Sequence, residues 1–289
     1  MVVEADDRRG DGEGGGIIDL HSHLVPGVDD GARTLDDVLE GVGRMVERRV
    51  ERIITTPHLE GSLTLDPPAL ERRLSRVDAA WTEARAVLQG AHPDLIFERA
   101  HEVLLDIPDP DLSDPRLRFP GTSVVLAEWP RLQIPPETPR VLSRLRKDGI
   151  RILLAHPERY RGFDPDLSLV AAWRAEGAWL QMNHGSLMGR YGSPVRQRAL
   201  QLLSKGAVDC LSSDFHGRAH LRLYIREAES LFLKAGAHEA WRLLVSENPR
   251  RLCRGEEPLP VPPVVFPEGM ADRIRSFLGG RGQGSRRNR

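Results

Sequence analysis

Seven times between residues 17 and 216 a short apolar run closes on ionisable side chains: IIDLHSH, RIITTPH, LIFERAHE, SVVLAEWP, IRILLAHPE, AWLQMNH and VDCLSSDFH. Apolar runs of this length, bounded by turn signals, read as buried strands. Helical patterns separate them, over roughly 35–50, 67–89, 138–148, 166–176, 193–204 and 220–235. Thr34 stands before the first helix, where its hydroxyl caps the opening turn and Asp37 complements the helix dipole. Gly149, Gly177 and Gly206 fall after a helix and before a strand, where a left-handed C-cap is needed. Strand, helix and glycine repeat in that order. The alternation predicts parallel strands joined by crossover helices, and seven of them predict a closed or nearly closed α/β barrel, with a doubly wound open sheet as the alternative.

A chain of 289 residues suits one such domain. Residues 1–16 are acidic and glycine-rich and read as a solvated tail, 17–255 as the barrel, and 256–289 as a proline-rich extension with a basic tail carrying Arg281, Arg286, Arg287 and Arg289. A net charge of −1 gives no whole-protein field for nucleic acid, and none is expected as a partner. Cys210 and Cys253 lack metal or redox spacing. With no apolar leader and no run of about 18 apolar residues, the expected location is the cytoplasm. Trp129, Trp173 and Trp179 read as core. A homo-oligomer stays open.

The chemistry lies at the strand ends: His21 with His23, His58, Glu102, Glu128, His156, Asn183 with His184, and Asp214 with His216. In a parallel barrel the carboxyl ends of the strands share one face, so these residues are expected to meet. Residues i and i+2 of a strand point the same way, which aims both imidazoles of His21-Ser22-His23 at one ion, and likewise Asp214 and His216. Four carboxylates, Asp30, Glu102, Glu128 and Asp214, crowded among about five histidines demand counter-charge. Imidazole and carboxylate together suit manganese, iron or zinc, and about nine ligands exceed the needs of one ion. Two or three divalent metals are expected, a grouping suited to phosphate-ester hydrolysis.

The motifs DLHSHLVPGVDDGA, TTPH, HE, LAE, LAHPERY, QMNHGSLMGRYG, SSDFHG and SENPRRL, in that order, resemble the manganese-dependent protein-tyrosine phosphatases of bacterial capsule and exopolysaccharide loci. These belong to the PHP (polymerase and histidinol phosphatase) superfamily. The resemblance spans roughly 17–253 and implies a distorted seven-stranded (β/α)7 barrel with a trinuclear metal site. It implies that His21, His23, Glu102 and Asp214 hold one metal, that Glu102 bridges to a second held by Glu128 and His156, and that Asp30, His58 and His216 hold the third. Arg159 corresponds to the family's phosphate-binding arginine, able to grip phosphoryl oxygens bidentately. A second arginine usually follows the SDxH motif; Arg218 and Arg222 are the candidates, neither at the usual offset. His101, where the family usually has a small or amide residue, is expected behind the ligands rather than among them.

The implied reaction is attack on phosphorus by a metal-activated hydroxide, with phosphotyrosine on a protein, a bacterial tyrosine kinase tail, as substrate. A cysteine-based route is excluded, because neither cysteine begins a C-x5-R pattern. The same ligands would serve a histidinol-phosphate phosphatase or another small-molecule phosphoesterase. A non-catalytic metal-binding regulator is the alternative of another class, and it would normally lack ligands that are all present here.

Overall fold

The computed structural model describes residues 15–162 and 166–267. Most of the N-terminal tail, the amphipathic MADRIRSFL stretch and the basic tail lie outside the described residues.

The apolar runs become nine short strands: β1 (Ile17–Asp19), β2 (Val50–Thr55), β3 (His58–Glu60), β4 (Ile96–Arg99), β5 (Glu102–Leu104), β6 (Val124–Glu128), β7 (Arg151–Ala155), β8 (Trp179–Asn183) and β9 (Cys210–Ser212). All pair in parallel, in a three-stranded sheet of order β1-β2-β4 and a six-stranded sheet of order β3-β5-β6-β7-β8-β9. The expectation of seven unbroken strands is corrected at two places. The second run breaks at Thr56 and Pro57, where proline has no N–H for a ladder, and the third at Ala100 and His101. Their halves belong to different sheets, so His58 and Glu102 open β3 and β5 instead of closing a strand. Pairing nevertheless crosses both breaks through Ala100 N–H to the Thr55 carbonyl (2.9 Å) and Glu102 N–H to the Pro57 carbonyl (3.2 Å). Beyond β1 and β9 the chain ends also meet: the backbone N–H of His23 donates to Phe215 and that of Asp214 to His21, both at 2.8 Å.

The helices are α1 (Leu35–Val46), α2 (Pro67–Ala91), α3 (Thr138–Lys147), α4 (Ser168–Ala175), α5 (His184–Leu187), α6 (Ser193–Ser204), α7 (Ile225–Lys234), α8 (His238–Arg242) and α9 (Asn248–Leu252). Thr34 caps α1 in a reciprocal box with Asp37, and Val38, Gly41, Val42 and Met45 form the buried stripe at helical spacing. Gly41 lets α1 lie against Phe215, the residue between Asp214 and His216; a Cβ there would stand 3.1 Å from the ring. Gly149, Gly177 and Gly206 hold φ of 78°, 83° and 62°, as helix-ending glycines do. Trp129, Trp173 and Trp179 are buried. The described part of the proline-rich extension forms neither helix nor strand, yet buries Val261 and Val264, and the Val264 N–H donates to the Leu203 carbonyl at 2.9 Å.

Candidate metal centre

The loop after β1 places His21 and His23 side by side, with their Nε2 atoms 3.3 Å apart and both side chains fully buried. Their outer nitrogens are already engaged: His21 Nδ1 lies 2.8 Å from Gln181 Oε1 and His23 Nδ1 2.8 Å from Asp29 Oδ2. With Nδ1 engaged outward, each Nε2 points into the cluster and, once deprotonated, would offer its lone pair there, the arrangement of a ligating histidine oriented by a second residue.

Glu102 is the hub. Its Oε2 lies 3.1 Å from His21 Nε2, 3.4 Å from His23 Nε2 and 3.2 Å from His58 Nδ1, and its Oε1 lies 2.9 Å from His156 Nε2. Oε2 is buried without a well-formed hydrogen bond to any of these neighbours. A buried carboxylate oxygen facing three imidazoles fits a bridging metal ligand, and the mixed nitrogen and oxygen donor set fits manganese, iron or zinc. Asp214 Oδ1 stands 3.6 Å from His21 and 3.5 Å from His23, and Glu128 stands 3.7 Å from both His58 and His156. On the outer side Asp30 Oδ1 lies 3.5 Å from His58 Nε2 and 3.4 Å from His216 Nε2. All nine residues singled out as metal ligands are thus brought together. Their ligand atoms fall into four overlapping sets: His23, Asp30, His58 and His216; His21, His23 and Glu102; His21, His156 and Asp214; and His58, Glu102 and Glu128.

Two of these residues depend on unusual backbone. His156 (φ 37°) and Asp214 (φ 50°) both occupy the left-handed region, which disfavours non-glycine residues. Other contacts fix the loops: Arg73 from α2 donates to the carbonyls of Val28 (2.8 Å) and His58 (2.7 Å), and Arg44 from α1 to those of Arg218, Ala219 and Leu221. At Gly31 the backbone passes so close to His23 that a Cβ would overlap its carbonyl oxygen and Cβ.

Charge inside the cluster is strongly coupled. Burial opposes protonation of His21, but the charges of Glu102 and Asp214 outweigh it and push its pKa up to about 9. His23 is raised likewise against burial by Asp214, Asp29 and Glu102, while Glu102 and Asp214 themselves are held well below the usual carboxylate range by the imidazoles. Glu128 goes the other way, to about 7, through burial and the adjacent Glu102 charge. His156 is lowered to about 4 by burial and by Arg159.

Arg159 is where the sequence motif places it: its Nη1 donates to Asp214 Oδ2 at 2.8 Å, and its guanidinium lies 4.4 Å from the Tyr191 ring centroid. It lines a cavity of about 700 Å³ that opens over the cluster, together with Leu104, Leu132, Tyr191 and Leu221. Arg218 also lines this cavity, tied to the Asp30 and Gly31 carbonyls. Arg222 does not. Its guanidinium turns away to Glu227, with contacts of 2.7 and 3.0 Å, because an acidic residue of α7 lies within easy reach. His184 is also absent from the cluster, its ring turned 6.0 Å from that of Trp241. His101 faces outward as well; its Nδ1 lies 3.0 Å from the Arg116 carbonyl, and burial lowers its pKa to about 3.

The sequence pattern did not reveal Asp29, Gln181, Tyr191, Arg190 or Arg131. Gln181 carried a usable signal, since it lies two residues before Asn183 on β8 and shares its face, and their side chains bond at 2.9 Å. Asn183 in turn donates to Asp214 Oδ2 at 2.7 Å. Asp29 was hidden beside Asp30. Nothing local marks Arg131 or Arg190.

A family model described as capsular polysaccharide synthesis, CpsB/CapC, matches residues 17–254. Among curated proteins the chain is similar to tyrosine-protein phosphatase YwqE of Bacillus subtilis, with 26% identity covering 86% of this chain and 95% of that protein. It is 24% identical to tyrosine-protein phosphatase CpsB of Streptococcus pneumoniae, covering 82% and 98%. Among solved structures, one from a study of YwqE and CpsB, described as unique metal-dependent tyrosine phosphatases, superposes with a TM-score of 0.71 at 25% identity, covering 87% of this chain and all of that one. The match covers the whole strand-and-helix region that builds the cluster, and the chain belongs to the CpsB/CapC family of capsular polysaccharide synthesis.

Proposed function

We propose that this chain is a metal-dependent phosphatase acting on phosphotyrosine in proteins. The observation that carries this reading is the nine-residue nitrogen and oxygen cluster at the floor of a cavity whose walls offer both Arg159 and apolar side chains. His21, His23, Glu102 and Asp214 would hold one cation, Glu102, Glu128 and His156 a second, and Asp30, His58 and His216 a third. Manganese is the proposed metal. When bound, such ions neutralise phosphoryl charge and activate water at neutral pH.

The residues of the chain do the rest. Arg159 faces the cavity from beside Asp214, where its planar fork can grip phosphoryl oxygens and offset the charge that grows on them in the transition state. Tyr191 packs its ring against that guanidinium, an aromatic face that attracts a cation. Leu104, Leu132 and Leu221 offer contact to a phenyl ring, and Arg218 steadies the loop that carries Asp30. A phenolate leaving group, with a pKa of about 10, departs with little acid assistance.

The same reading takes the nine strands as seven staves, β2 with β3 and β4 with β5 each forming one, in a distorted barrel joined between Ser22 and Phe215. A tyrosine-phosphorylated bacterial kinase tail is the proposed substrate. Among the described residues no helix is long and apolar enough to cross a membrane. The two free, buried cysteines accord with a reducing compartment, and the cytoplasm is the proposed location. The test is phosphate release from a phosphotyrosine peptide and from histidinol phosphate, each with manganese and with chelator. Chelator-sensitive turnover of the peptide supports the reading; preference for histidinol phosphate overturns the substrate while retaining the metal site.

A further inference from the structure

The cavity over the cluster has an uneven distribution of charge. Its four carboxylates, Asp30, Glu102, Glu128 and Asp214, all belong to the candidate metal centre, and beyond them the wall carries four arginines and no acid. Two of the arginines are committed, Arg159 to Asp214 and Arg218 to the carbonyls of Asp30 and Gly31. Arg131 and Arg190 have no ion pair among the described residues. Arg190 lies 5.2 Å from the ring centroid of Tyr191, the ring that also packs on Arg159. Arg131 is held at the cavity by two consecutive non-glycine residues in the left-handed region, Arg131 (φ 55°) and Leu132 (φ 54°), and by the Leu132 carbonyl accepting from the Arg161 N–H at 2.8 Å.

Cations bound below would satisfy the cluster's own carboxylates, leaving the positive charge of the wall unanswered. In a chain of net charge −1, this places a local positive field around the phosphoryl position and nowhere implies one for the molecule as a whole. We propose that Arg131 and Arg190 select substrates bearing anionic groups beside the phosphotyrosine, carboxylates of neighbouring residues or a second phosphoryl group. The proposal rests on the phosphotyrosine reading and specifies the surrounding peptide. Exposed pairs of this kind are each worth roughly two- to fivefold in affinity, so two of them give a preference of about tenfold.

The experiment compares manganese-loaded wild-type enzyme on phosphotyrosine peptides of equal length whose flanks are glutamate, glutamine or lysine, placed on either side, with a further peptide carrying a second phosphotyrosine. The expected result is a kcat/KM about tenfold higher with glutamate than with glutamine flanks, lowest with lysine, expressed mainly in KM and erased by added salt. Preference for the doubly phosphorylated peptide alone identifies a phosphoryl group as the anion. In the Arg131→Gln, Arg190→Gln double variant the ratio between glutamate and glutamine peptides falls to about one. If that variant fails to fold, the single variants Arg131→Gln and Arg190→Gln decide, each expected to lower the ratio by about two- to fivefold, and an unchanged ratio in both overturns the proposal. Equal kcat/KM across the flanks, with robust turnover, overturns the proposal and leaves the phosphatase reading intact. Turnover of none of the peptides overturns both.

Discussion

Asp29 holds His23: its Oδ2 lies 2.8 Å from the imidazole Nδ1, while the same carboxylate accepts the backbone N–H of His58 at 3.2 Å and of Gly31 at 3.0 Å. The imidazole keeps the carboxylate's pKa down at about 2 against its burial. One side chain thus orients a candidate ligand and fixes the start of the strand that carries another. Asp29→Asn is expected to weaken manganese affinity by about 10- to 100-fold with the fold retained, as read by metal titration of stripped protein. Unchanged affinity would remove Asp29 from the site.

Glu102 approaches four imidazoles, those of His21, His23, His58 and His156. Glu102→Gln is expected to lower both the bound-metal stoichiometry, measured by elemental analysis, and kcat, the latter by more than about 100-fold. Full stoichiometry in the variant would contradict the bridging role.

Metal entry must displace protons. His21, with its pKa raised to about 9, and His23, raised likewise, hold protons at neutral pH in the stripped protein. Loading should therefore release protons, and affinity should climb as pH rises toward about 9. Calorimetric titration in buffers of different ionisation enthalpy measures the release; buffer-independent heats would count against it.

The arginines separate cleanly. Arg159→Lys retains charge but loses the fork, and kcat/KM should fall by about 100-fold. Arg222→Ala, which removes an ion pair with the buried Glu227 and a contact with the Tyr224 ring, neither of them lining the cavity, should leave kcat/KM within about twofold. Steady-state kinetics on one phosphotyrosine peptide decides both.

His184 supplies a stability prediction outside the cluster. Burial lowers its pKa from 6.5 to about 4. Above pH 6.5 both folded and unfolded forms are neutral there and the stability is fully present; as pH falls from 6.5 toward 4 only the unfolded chain takes the proton. Stability then drops by about 1.4 kcal/mol per pH unit, to a total of roughly 3 kcal/mol. His184→Leu should show a shallower fall in Tm over that window than the wild type; parallel curves would refute the assignment.

Local pattern made much of this legible. Apolar runs located the strands but not the breaks that split two of them into β2 with β3 and β4 with β5, helical patterns located α1, α2, α3, α4, α6 and α7 but not the short α5, α8 and α9, and ionisable residues clustered at the strand ends marked the site. Tertiary aim was not legible. His184 and Asn183 are adjacent, yet only Asn183 reaches Asp214, because α5 begins at His184 and rotates its side chain toward Trp241. Arg218 and Arg222 looked equivalent until the position of Glu227 distinguished them. The run ending at His58 reads as one strand; its break at Pro57 and the transfer of pairing from one sheet to the other depend on partners distant in sequence. The sequence marks Asp30 as a candidate ligand; that Asp29 beside it turns instead to His23, while Asp30 faces His58 and His216, is set by the tertiary position of those imidazoles.

The join between the two ends of the strand series bears on synthesis at the ribosome. His21 and His23 emerge early, but Asp214, His216 and the Phe215 carbonyl that receives the His23 N–H emerge nearly two hundred residues later. A nascent chain that has not released its last strand lacks a wall of the candidate metal centre, so the ligand sets that include Asp214 or His216 close only at the end of synthesis, after those of His21, His23, His58, Glu102 and Glu128 are already exposed.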